Sequence, residues 1–131
     1  MNVVLIADHT WIGDLGATLS HNGINVTLLD RPGLPDISAT LGCSNDDINT
    51  TLDDAAASPA EDACSSTPPA MSGNLSPTGQ LSDFNGANAS GSWTLSIFDS
   101  VNQDTGTLRS WCLDPTETGA DNGVIFADGF E

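Results

Sequence analysis

The chain has no lysine and no tyrosine, and its only basic side chains besides two histidines are Arg31 and Arg109. Against them stand 18 acidic residues, for a formal net charge of -16. A surface of that sign repels phosphate, which excludes nucleic acid and anionic membranes as partners. Aromatic residues are scarce, with three Trp and four Phe, so the core must come mainly from Leu, Ile, Val and Ala. No apolar run approaches the roughly 20 residues that a membrane-spanning helix needs, and no helical apolar stripe of any length is present. The three cysteines, Cys43, Cys64 and Cys112, form no C-x-x-C pair, which weighs against zinc and redox sites. In an extracellular β domain they read as one disulfide and one thiol left over. Nor does a basic segment precede the apolar start Val3-Val4-Leu5-Ile6, as a signal peptide would require.

What is present is alternation. At 131 residues the chain is long enough for one core. Many short alternating runs separated by Gly, Asn, Asp, Ser and Thr indicate an all-β sandwich. The clearest signal lies between residues 9 and 33. Leu15, Ala17 and Leu19 alternate with Gly16, Thr18 and Ser20; Ile24, Val26 and Leu28 alternate with Asn25 and Thr27. His21-Asn22-Gly23 between them holds the Asn-Gly pair that a tight hairpin wants, because both central residues take positive φ. Asp30-Arg31-Pro32-Gly33 then ends the second strand. Further strands are predicted over Asn2 to His9, Ile48 to Leu52, Ser92 to Phe98 and Thr107 to Leu113, with Trp93, Leu95, Ile97, Trp111 and Leu113 facing in. Ser58-Pro59-Ala60-Glu61 has capping-box spacing with Pro at the first helical position, enough for one helical turn. Ser65 to Pro77 reads as loop, and Leu81 to Gly86 as a turn.

Three motifs carry a resemblance. H-T-W-I-G-D-L (His9 to Leu15) with T-L-L-D-R-P-G (Thr27 to Gly33), then G-S-W-T-L-S-I-F-D (Gly91 to Asp99), then D-T-G-T-L-R-S-W-C-L (Asp104 to Leu113) occur in an order and spacing that resemble the P domain, or Homo B domain. That module follows the catalytic domain in kexin- and furin-type proprotein convertases and closes many secreted bacterial proteases. The resemblance implies a jelly-roll, galactose-binding-like β-sandwich of about eight strands over residues 1–114. Residues 115–131 form a polar tail ending in a short apolar-acidic tag, Val124 to Glu131. It also implies one more strand, a secretion signal and a protease catalytic domain lying upstream of Met1. The expected role is that of a non-catalytic module of a secreted subtilisin/kexin-like serine endopeptidase or a bacterial metalloprotease, supporting the enzyme's folding and stability.

Chemistry of its own is thinly supported. No nucleophile turn such as G-x-S-x-G accompanies His9 or His21, and in the P domain the residue matching His9 belongs to the fold motif. Asp104-Thr105-Gly106 is the triplet of dimeric aspartic proteases, whose chemistry needs two aspartates sharing a proton. Here Asn102-Gln103 precede it where an apolar strand should, and a turn explains it better. A glycosidase would want opposed carboxylates and a sugar platform, yet two of Trp11, Trp93 and Trp111 fall on apolar strand faces.

Metal binding is the stronger expectation. Between Cys43 and Cys64 lie Asp46, Asp47, Asp53, Asp54, Glu61 and Asp62 with no base among them, and Asp83 follows. Calcium takes six to eight such oxygens. Asp46, Asp47, Asp53, Asp54, Glu61 and Asp83 are therefore the expected ligands of Ca2+, a cation that the resemblance also favours. A solvated acidic loop is the plain alternative, and a calcium-dependent carbohydrate- or surface-binding module is the competing function. A Cys43–Cys64 bridge would close the loop that most needs restraint against its own charge. Cys112 is expected to be free here, with its partner upstream.

Overall fold

The computed structural model describes residues 1–34 and 41–115. The tail beyond 115, the terminal tag and most of the predicted loop from Leu34 to Gly42 lie outside the described residues. Among the described residues seven strands form two sheets. The first sheet has the order β5-β4-β1-β7, with β1 at Asn2–His9, β4 at Ile48–Leu52, β5 at Met71–Leu75 and β7 at Gly106–Asp114. The second has the order β3-β2-β6, with β2 at Leu15–His21, β3 at Ile24–Asp30 and β6 at Thr94–Asp99. Among the described residues the helical content is limited to three short 3-10 turns, Ile12–Asp14, Ala60–Asp62 and Leu81–Phe84. The all-β sandwich expected from the alternation is therefore the fold.

Period two sets which side chains meet. Val3, Leu5 and Ala7 on β1 are buried, as are Leu15, Ala17 and Leu19 on β2. They join Val26 and Leu28 of β3, Ile48 and Leu52 of β4, and Met71 and Leu75 of β5 in one core between the sheets. β1 lies inside its sheet, antiparallel to both β4 and β7. Burying a Leu such as Leu5 contributes about 2–3 kcal/mol, and the aliphatic composition leaves no larger single term.

The hairpin is as read. β2 and β3 pair antiparallel with His21 opposite Ile24, and the turn is Asn22-Gly23, with φ of 50° and 81°. A register shift between Ala17 and Thr18 brings both Leu28 and Leu29 to buried positions. That bulge breaks the simple alternation predicted for β3.

Two readings need correction. The stretch read as loop from Ser65 to Pro77 contains β5, which pairs parallel with β4 from Ile48↔Met71 to Leu52↔Leu75. Its sequence, M-S-G-N-L, is apolar only at its ends, and Gly73 at its centre takes φ of 75°. The proposed capping box also fails: Pro59 is the N-cap of Ala60–Asp62, and no side chain caps that turn. Glu61 instead accepts from the backbone N–H of Asp30 and from the Thr78 hydroxyl. The limit of one helical turn holds.

β6 and β7 lie at the edges of their sheets. Leu95, Ile97, Trp93 and Trp111 pack against the core but are only partly buried, while Leu113 is buried. Leu108, opposite the buried Ala7, is still 42% exposed.

Cys43 and Cys64 form a disulfide, and Cys112 is free and exposed on β7. The bridge closes a separation of 21 residues. Replacing both cysteines with alanine should lower the unfolding free energy by about 3 kcal/mol in the chain-entropy account. Urea denaturation reads this as a lower midpoint at similar slope. An unchanged midpoint would show that backbone bonds alone hold the loop.

Candidate functional site

The H-T-W-I-G-D-L motif forms the corner where the chain passes from β1 to β2, and so from one sheet to the other. Ile12 there is fully buried and Asp14 nearly so. The Ile12 N–H donates to Asn45 O at 3.1 Å and the Gly13 N–H to Cys43 O at 2.8 Å. Any side chain at Gly13 would collide with that backbone, since a Cβ would lie 2.4 Å from Cys43 N. Arg31, at the end of β3, donates Nε–H to Gly13 O at 3.1 Å and faces Asp14 Oδ1 at 3.5 Å. Thus the motif's glycine and aspartate each have a physical reason.

His9 belongs to the same corner. The Trp11 N–H reaches its Nδ1 at 3.1 Å. A backbone N–H can only donate, so Nδ1 accepts and the proton sits on Nε2. Nε2 then donates to Asp99 Oδ2 at 2.8 Å. Asp104 accepts from the Thr10 hydroxyl at 2.8 Å, and the Ser100 N–H donates to Asp14 O at 2.9 Å. Asp14, Asp99 and Asp104 therefore gather around one His and one Arg. Burial pushes the Asp14 carboxyl above the usual carboxylate value; the Asp99 charge adds to this and the Arg31 guanidinium opposes it. The hydrogen bond from His9 holds Asp99 below its usual value. Local sequence offered no signal for a contact between residues 90 positions apart.

A cavity of about 260 Å³ opens beside this cluster, lined by Ala7, Leu15, Ile97 and Leu108 with Asp8, His9 and Asp99. Gly106 and Thr107 complete its lining. Asp104 and Thr105 end the connection between β6 and β7, and Gly106 begins β7.

The expected calcium ligands are spread through the fold. Asp47 Oδ1 accepts from the His9 N–H, tying β1 to the acidic segment. Asp53 Oδ1 accepts from the Ala55 N–H. Asp54 receives the N–H groups of Leu81 and Ser82, both at 2.8 Å, and so starts the Leu81–Phe84 turn. Asp46 is half-buried and Asp83 exposed. Among the described residues no three His, Cys, Asp or Glu side chains stand close enough to hold a metal ion. Among the expected ligands, Glu61 Oε2 is buried without a hydrogen-bond partner.

The family model for the proprotein convertase P-domain matches residues 64–115. Over these residues the chain resembles the P-domain family. The matched segment carries β5, the Leu81–Phe84 turn, β6 and β7, while the corner and the hairpin precede it. No curated protein matches the chain, and no solved structure does. A P-domain accompanies a protease catalytic domain in proprotein convertases and is itself an accessory, non-catalytic module.

The pH dependence of this chain's stability should carry the Asp99 signature. A carboxyl held low in the folded state stabilises above its unfolded value, and that stabilisation is lost as pH falls through the folded value. Asp99→Asn should therefore be less stable than the native chain at neutral pH and converge with it in acid. Urea midpoints across the acid range measure this. A gap that stays constant with pH would remove the His9–Asp99 bond from the account.

Proposed function

We propose that this chain is the non-catalytic companion of a secreted subtilisin/kexin-like serine endopeptidase, and that it supports the folding and stability of the adjoining catalytic domain. The match over residues 64–115 supports the reading. The open edge of the sandwich adds to it. Leu108 is 42% exposed and lines the open edge with Ile97, near the partly buried Leu95 and Trp111. An apolar margin of this kind suits packing on a larger domain. The disulfide fits a secretory route, and no helix among the described residues is long and apolar enough to cross a membrane. A sugar-binding groove finds less support: the cavity at the open edge has no Trp lining, and Trp93 is stacked on His21.

In a chain carrying both domains, deleting residues 1–115 should lower the yield of active protease and its melting temperature. Leu108→Gln should weaken the two-domain enzyme while shifting the isolated chain by only about 0.5 kcal/mol, as exposed substitutions do. The isolated chain should leave casein uncut. Protease of full yield and stability without the module would contradict the reading; cleavage abolished by Asp104→Asn would replace it with the aspartic one.

Calcium binding is a second reading, supported by the open Glu61 Oε2. The other expected ligands fit less well, because each of Asp47, Asp53 and Asp54 holds backbone N–H groups. A cation bound only to the folded state stabilises by RT ln(1 + [L]/Kd), about 2.7 kcal/mol at 100 times Kd. Melting curves in chelator and in millimolar Ca2+, both at high NaCl, should separate by that order. Glu61→Gln should close the gap, and coincident native curves would sink the site.

A further inference from the structure

His21 closes β2 and is 2% exposed, and nothing in an accessory role calls on it. Its Nδ1 lies 2.9 Å from the carbonyl oxygen of Ser92, and its Nε2 lies 2.6 Å from that of Asn88. A carbonyl oxygen only accepts, so each bond needs a proton on the ring nitrogen. Only the imidazolium carries both. A neutral ring would turn a lone pair on one of the carbonyls in a site where water cannot relieve the repulsion. The Asn22 amide is the alternative donor: Nδ2 stands 3.1 Å from Nε2 and 3.0 Å from Asn88 O.

The aromatic surroundings hold the ring in place. The His21 ring lies flat on Trp93, with centroids 3.8 Å apart and planes 2° apart, and an indole face attracts a cation. Trp93 donates Nε1–H to Ala89 O at 3.1 Å and meets Phe84 edge-on at 5.0 Å. Asn88, Ala89 and Ser92 belong to one connection, residues 85–93, between the Leu81–Phe84 turn and β6. We propose that His21 is a pH-operated latch. As an imidazolium it clamps residues 85–93 to the end of the hairpin; as a neutral ring it takes the Asn22 amide and releases Asn88.

Other charges near the latch are few. β2, the Asn22-Gly23 turn and residues 85–93 contain no further ionisable side chain. β3 carries Asp30 at its far end, where it pairs with Gly16. β6 ends in Asp99, which is bonded to His9. The Leu81–Phe84 turn carries Asp83, which is exposed. The clamped form carries one proton more than the released form.

Nitrogen-15 NMR of the intact chain, labelled at histidine, tests the latch, with His9 as the internal reference for an Nε2–H tautomer. At about pH 5 both His21 nitrogens should give protonated signals, whereas at about pH 8 one should not. Amide exchange over residues 85–93, corrected for its intrinsic pH dependence, should be severalfold slower in acid. His21→Phe keeps a ring on Trp93 without a proton and should hold the segment equally at both values. A neutral His21 tautomer in acid overturns the latch on the native protein alone. So does protection that ignores pH, survives unchanged in His21→Phe, or vanishes in Asp83→Asn.

Discussion

The corner at residues 9–15 is the constraint on which the rest of the sandwich depends. Two sheets share one core only if the crossing between them has a fixed angle, and here that crossing is bonded on every side. Asp47 exchanges bonds with His9, donating its N–H to His9 O and accepting the His9 N–H on Oδ1. Cys43 receives the Gly13 N–H while its own N–H goes to Pro32 O at 2.8 Å. The disulfide then anchors Cys43 to Cys64, at the start of the segment that leads to β5. From the other side the β6–β7 connection reaches in through Ser100 and Asp104. Remove the corner and both sheets lose their common reference.

The lopsided charge becomes intelligible from the same bonds. With two arginines for 18 carboxylates, ion pairs cannot balance the chain. Arg31 is placed at the buried Asp14, where an unpaired charge would be most costly. Arg109 meets Asp8 at the surface, where a pair matters little. Backbone N–H groups supply further donors: those of His9, Asp30, Leu81 and Ser82 all point at carboxylates. Such bonds to an ionised acceptor contribute more than neutral ones. Acidic residues thus do here what caps and turn residues do in less charged domains.

Local pattern made much of this legible. The Asn22-Gly23 turn, the alternation of β2 and the apolar run of β1 each state their conformation within a few residues. β5 was hidden because Met71 and Leu75 alone are apolar, and its parallel partner β4 lies 23 residues back, as in Ile48↔Met71. The acidic segment is dispersed for a related reason. Closeness in sequence suggested one cluster, but the chain carries Asp54 to the Leu81 turn and Glu61 to β3. The gathering that does occur, His9 with Asp14, Asp99 and Asp104, draws on two distant stretches. Only the motif resemblance marked some of its members in advance.

Native-state hydrogen exchange on the intact chain tests the corner most directly. The amides of Ile12, Gly13, Cys43 and Asp47 should exchange only through global unfolding, with the same opening free energy as the central amides of β1 and β2. Opening of these four at a clearly lower free energy, while β1 and β2 stay protected, would show that the sheets hold together without the corner and would contradict the account.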